Sequence, residues 1–156
     1  MRVWGLAGGA REAELEGHTG VVCALVVDGD RLYSASEDGT IRAWACGTWA
    51  GLGTVEATGG HAGSGCRPGQ YPRSLAVSGG RLVSGSVRRY DDEDGDAEAE
   101  GRGVCEMRVW ELETLGLQHV VAAGRVERGE GVRCLASVGR EVWGGVGEEA
   151  VVWGRR

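Results

Sequence analysis

Apolar residues in this chain come in short runs of four to seven, each bounded by glycine, serine or aspartate. No helical period persists over ten or more positions, so the runs predict strands. Three stretches share one pattern: VCALVVDGDRLYSAS from Val22, PRSLAVSGGRLVSGS from Pro72 and VRCLASVGREVWGGV from Val132. Each is an apolar run, a glycine-bearing turn and a second apolar run. A shift of 50 places Leu25, Val27 and Leu32 on Leu75, Val77 and Leu82, and a shift of 110 places Leu25 on Leu135 and Tyr33 on Trp143. Asp28-Gly29-Asp30 and Ser78-Gly79-Gly80 suit tight hairpin turns, because glycine takes positive φ without steric cost. The expectation is an all-β chain with about four strands per repeat.

Each stretch is followed by a segment ending in tryptophan: IRAW to Trp44, MRVW to Trp110 and AVVW to Trp153. Met1 to Trp4 repeats Met107 to Trp110 identically. The tryptophans stand 40, 66 and 43 residues apart, a period of about 40–45 with one enlarged interval. Leu15-Glu16-Gly17-His18, the run Val21 to Val27, and Leu32 through Asp38-Gly39-Thr40 to Trp44 together resemble a WD repeat of the β-propeller family. The aspartate that usually follows the tryptophan is replaced by Ala45, Glu111 and Gly154.

The resemblance implies a partial β-propeller of four-stranded antiparallel blades. Its expected divisions are leading strands over 1–15, repeat one over 16–44, repeat two over 45–110 and repeat three over 111–153. It also implies a buried network of histidine, hydroxyl, tryptophan and aspartate, structural rather than catalytic. In the first repeat these are His18, Ser34 or Ser36, Trp44 and Asp38; in the second, His61, Ser84 or Ser86 and Trp110. The third keeps Trp153, with Gly144 and Gly145 at the serine positions and Glu148 near that of the aspartate. About three blades are expected, below the 4–8 of an ordinary ring. Two explanations stay open: the chain is part of a larger propeller, or a second copy or partner completes the ring.

Repeat two contains two insertions, 62–72 and 88–103. In an antiparallel blade with strands a to d, the d-to-a and b-to-c connections share one rim, and both insertions are expected there. Residues 88–103 carry seven acids and three arginines, a net −4 out of the chain's −6. Tyr90, Asp91, Asp92, Glu93, Asp94 and Asp96 are candidate contacts for a partner with a basic surface, the bland alternative being a solvated loop. Gly95 falls between the acids rather than after them, and the closing glutamate of a calcium loop is missing. The 62–72 insertion lacks the Gly-Lys-Ser/Thr ending of a phosphate loop, and its Arg67 and Tyr71 are of types enriched at protein interfaces.

Composition narrows the remaining choices. Thirty glycines fit a turn-rich chain, and an acidic balance of 17 against 23 argues against a nucleic-acid surface. Every basic residue is arginine, and lysine, asparagine and phenylalanine are absent, which points to codon bias as much as to function. The cysteines at 23, 46, 66, 105 and 134 show no paired metal or redox spacing. Their odd number suggests free thiols in a reducing compartment, and Cys23 and Cys134 are expected in the core. No run is long enough for a membrane span or a signal peptide. His119 lies in an expected outer strand without a nucleophile motif nearby.

The functional expectation is a non-enzymatic protein–protein interaction scaffold, cytoplasmic or nuclear. It needs no cofactor or metal, touches neither nucleic acid nor membrane, and binds through the rim carrying the d–a and b–c loops. The alternative is a propeller fragment of a ubiquitin-ligase substrate receptor or ligase-associated adaptor.

Overall fold

The computed structural model describes residues 1–58, 71–89, 103–126, 132–146 and 149–153. Among them are thirteen strands: β1 (Arg2–Trp4), β2 (Arg11–Glu14), β3 (Val22–Asp28), β4 (Arg31–Ser36), β5 (Thr40–Ala45), β6 (Gly51–Glu56), β7 (Ser74–Ser78), β8 (Arg81–Arg89), β9 (Gly103–Glu111), β10 (Leu117–Val126), β11 (Val132–Val138), β12 (Glu141–Val146) and β13 (Glu149–Trp153). They form antiparallel sheets of sequential neighbours: β1-β2, β3-β4-β5-β6, β7-β8-β9-β10 and β11-β12-β13. These are a half blade and then blades 1, 2 and 3 of an open, partial propeller.

Hairpin turns set the register. Ser78 pairs with Arg81 around Gly79 and Gly80, both at positive φ, the conformation of a two-residue turn that matches strand twist. Asp28 pairs with Arg31, and Val138 with Glu141, around Gly29 and Gly139 in the same conformation. Side chains opposite one another share a face, so Leu32 and Trp44 lie on one side of blade 1, and Tyr33 and Ala43 on the other.

That alternation places the core between the sheets. Tyr33, Ala35, Ile41 and Ala43 of blade 1 pack with Leu75, Leu82 and Trp110 of blade 2, sealed by Ala57 and Leu115. Ala76, Val83 and Met107, on the opposite side of blade 2, pack with Val142 and Leu135 of blade 3. Leu15, Leu32 and Trp44 pack with Met1 and Val3 of the half blade. Each tryptophan-bearing side of blades 1 and 2 thus meets the sheet before it, and the other side meets the sheet after. A fully buried large apolar side chain contributes roughly 1.5–3 kcal/mol, so these junctions dominate stability.

Two expectations need correction. Cys23 and Cys134 are exposed. Cys23 shares its side of β3 with the exposed Leu25 and Val27, a side where the half blade supplies no inner strands among the described residues. Cys134 lies on β11, at the outer end of the series of sheets. Partial desolvation by its neighbours, then Glu37, pushes the Cys23 thiol up from its ordinary pKa, so it stays protonated near neutrality. The 88–103 insertion also begins as strand rather than loop: β8 and β9 pair through to Arg89↔Gly103. That is four pairs beyond Gly85↔Met107, the counterpart of the last β4–β5 pair Ala35↔Ile41, and extends the hairpin by about 13 Å. Val126 of β10 pairs with Gly103, so a third strand accompanies the extension.

Candidate functional site

The polar centre of blade 1 forms where two connections meet. The β2–β3 connection carries His18, and the turn between β4 and β5 carries Asp38. Gly17 has φ 134°, and a Cβ there would run into the Arg42 guanidinium, so only glycine lets the chain deliver His18 at this point. His18 Nδ1 lies 2.9 Å from Asp38 Oδ2, and its Nε2 lies 2.8 Å from Ser34 Oγ. Trp44 Nε1 donates to the same Ser34 oxygen at 2.9 Å. The tautomer follows from the partners: Nδ1–H donates to the carboxylate, and Nε2 accepts the Ser34 hydroxyl proton.

Asp38 is held from several directions. Thr40 donates through Oγ1 at 2.6 Å and through its backbone N–H at 2.9 Å, both to Oδ1, and the Thr19 N–H donates to Oδ2 at 2.9 Å. Burial works to raise the carboxyl pKa, but the bonds from Thr40, Thr19 and His18 more than offset it and hold Asp38 far below the usual carboxylate range. Ser36 Oγ accepts from the Asp38 N–H at 3.2 Å and so shapes the turn.

A serine, a histidine and an aspartate in hydrogen-bonded series have the connectivity of a hydrolase triad. The surroundings do not suit that chemistry. Ser34 has 0% exposure, and its oxygen already holds the Trp44 indole N–H, so a substrate carbonyl has no approach. The cluster ties a loop, a turn and two strands together and spends its polar capacity internally.

Blade 2 repeats part of this arrangement. Trp110 Nε1 donates to Ser84 Oγ at 2.9 Å, and Ser86 is buried beside them in sequence. Arg108, two residues before Trp110, donates through Nη1 to the Ala57 carbonyl and through Nη2 to Glu106 Oε2 at 3.1 Å. It thereby fastens β9 to the exit of β6. In blade 3, Trp153 ends β13 opposite Val142, the register of Trp44 and Trp110 opposite Leu32 and Leu82, and Gly144 stands where Ser34 and Ser84 do. Thr40, Thr19 and Arg108 were absent from the sequence-based candidates. Their signals were a threonine two residues after Asp38 and an arginine two before both Trp44 and Trp110.

The His18–Asp38 contact joins the d–a and b–c connections on one rim of blade 1. The Ala57 N–H also donates to the Gly39 carbonyl at 2.8 Å, bringing the start of the β6–β7 connection to that rim. Tyr71 needs correction as a contact candidate. It is buried, its oxygen accepts from Arg73 Nη2 at 2.8 Å, and that guanidinium lies 5.0 Å from its ring centroid. Burial, then the hydrogen-bonded Glu37, pushes the Tyr71 phenol up, so it stays neutral and ties the blade 2 connection to the blade 1 turn. His61, Arg67, Tyr90, Asp91, Asp92, Glu93, Asp94, Asp96 and Glu148 lie outside the described residues. His119 lies on β10, the outermost strand of blade 2.

On the opposite rim, the β3–β4 turn of blade 1 and the β9–β10 turn of blade 2 border an open cleft of about 460 Å³. Asp28, Asp30, Glu111 and Glu113 line it, and Arg31 and Tyr33 both donate to the Leu112 carbonyl, at 3.2 and 3.0 Å. Those two bonds brace blade 1 against blade 2. Among the described residues, no group of three or more His, Cys, Asp or Glu is placed to hold a metal ion, and no helix is long and apolar enough to cross a membrane.

Residues 9–45 match the WD40 family, described as WD domain, G-beta repeat. Among solved structures, that of the computationally designed Ika4 protein is similar, with a TM-score of 0.67 and 25% identity over 98% of this chain and 78% of that one. No curated protein matches.

Proposed function

From a chain of propeller blades whose residues 9–45 match a WD40 repeat, we infer a non-enzymatic scaffold that binds other proteins. WD40 repeats generally serve as protein-interaction platforms, and fold alone leaves the chemistry of a site to be argued from its residues. In blade 1 the residues with catalytic potential are committed to one another and buried, which supports binding over catalysis.

The observation that carries the reading is the β8–β9 extension. It rises about 13 Å past the level at which the blade 1 hairpin turns, and continues in sequence into the acidic stretch of Asp91, Asp92, Glu93, Asp94 and Asp96. A strand-supported acidic segment suits a partner with a basic surface, and such attraction weakens with salt. Arg67, in the neighbouring insertion, is the second contact in this reading.

The test replaces residues 90–102 with a two-residue Asp-Gly turn and compares proteins recovered by tagged wild-type and shortened chains at low and high salt. The expected result is a set recovered by the wild type at low salt and lost both on shortening and at high salt. Equal recovery by both chains would exclude the acidic segment as the binding element.

A further inference from the structure

Two sides of this arc have the apolar character of the junctions inside it, yet face solvent. Leu25 of blade 1 is 54% exposed, whereas its counterpart Leu75 in blade 2 is 6% exposed. Trp143 of blade 3 is 41% exposed, whereas its counterpart Tyr33 in blade 1 is 1% exposed. Leu25 and Val27 belong to the tryptophan-bearing side of blade 1, whose outer half is covered by Met1 and Val3. Trp143 and Val152 pair across the opposite side of blade 3, and Val138 is exposed on β11. The first surface is of the kind blade 2 presents to blade 1, and the second is of the kind blade 1 presents to blade 2. They are two halves of one junction, and this chain carries both.

Strand order adds a second, independent observation. β1 has the sequence of Arg108 to Trp110 in β9, and it pairs with β2 as β9 pairs with β10. β9 also pairs with β8 on its inner edge, but β1 has no inner neighbour among the described residues. Trp4, the counterpart of the buried Trp110, is 54% exposed. β1 and β13 both hold the third-strand position, one in the leading sheet and the other in blade 3.

We propose that a second copy of this chain fills the vacancy. The β11–β12 hairpin of one copy docks on the inner edge of β1 of the other, giving a mixed four-stranded sheet β11-β12-β1-β2. β1 takes the place that β13 holds in the isolated chain, so Trp4 stands opposite Val142, as Trp153 does now. Trp143 then meets Leu25 and Val27, closing the two half-junctions on each other. The exchange replaces the five-residue β13 with the three-residue β1 on the edge of β12, as in domain swapping, and the apolar surface that leaves water at the closed junction favours it. The contact is head-to-tail and occurs twice about a two-fold axis, so the pair closes with six four-stranded blades, inside the usual range of 4–8. The pairing is independent of the acidic stretch on which the proposed function rests.

The test is the solution mass of the full 156-residue chain by light scattering. The expected mass is twice 16.4 kDa. Leu25→Asp spoils one half-junction and Trp143→Asp the other, so each variant alone is expected as a monomer. Mixed, they retain one intact junction and are expected to form a heterodimer. Both substitutions are at exposed positions, and a wild-type circular dichroism spectrum confirms folding; Val138→Asp replaces Trp143→Asp if it does not fold. A chain ending at residue 146, without β13, is expected to stay dimeric, whereas removal of residues 1–14 gives a monomer. A monomeric wild type at tens of micromolar, open-ended polymers, a dimer in either single variant or a mixture that stays monomeric would each overturn the proposal, as would loss of the dimer on removing β13.

Discussion

Ser34 carries two obligations with one oxygen, to His18 Nε2 and to the Trp44 indole. Ser34→Ala leaves a buried indole N–H without its acceptor, and an unmade buried hydrogen bond costs about 1–3 kcal/mol. Chemical denaturation should show a loss of that size with an unchanged β spectrum. Asp38 makes the same centre acid-sensitive. Its folded pKa is depressed, so the carboxylate stabilises the chain above its unfolded pKa of about 3.9 and loses that contribution as pH falls further. Asp38→Asn should therefore be less stable than wild type at pH 7, by about 1.5–3 kcal/mol for bonds to a charged group. The gap should narrow progressively below about pH 4, as unfolding curves at pH 7 and pH 3 would show. These residues were legible as a set because the WD-type motif spaces them. Arg108 was not, because its partner, the Ala57 carbonyl, is brought near only by the neighbouring blade, and Thr40 was passed over although Asp38 stands two residues before it in the same turn.

Individual strands were legible from runs of valine, leucine and aromatics between glycine turns, and their pairing follows chain order. Their lengths were less legible. The β8–β9 ladder continues through Arg88 and Arg89, whose charge reads as loop but whose backbone pairs with Val104 and Gly103. Replacing residues 90–102 with a short turn should leave the unfolding free energy within about 0.5 kcal/mol, because the described junction residues all lie outside that stretch. Gly85 shows the opposite sensitivity. A Cβ there would come within 2.5 Å of Val132 Cγ1 and 2.6 Å of Ser74 Oγ, whereas blade 1 tolerates Ala35 at the matching place. The seam between blades 2 and 3 is tighter there because Val132 packs over β8, and Ser74 Oγ donates to the Val132 carbonyl at 3.3 Å. Gly85→Ala should cost about 1–3 kcal/mol as overpacking, measured by the denaturation midpoint.

At the scale of the molecule, stability comes from the sheet-to-sheet junctions, and their distribution explains the exposure of Cys23, Leu25, Val27 and Trp143. An isolated arc of such sheets should bind a hydrophobic dye more strongly than the proposed pair, so dye fluorescence should fall as concentration drives pairing. The sequence by itself determined the strands, the glycine turns, the antiparallel order and the polar centre of blade 1. These rest on local periodicity, φ preference and motif spacing, which a chain carries without reference to distant segments. Only the tertiary structure decided which side of each strand lies in a junction and which meets water. The alternation of side chains assigns residues to two sides but says nothing about whether a neighbouring sheet stands against either one, and so Leu25 and Leu75, alike in sequence, have opposite surroundings.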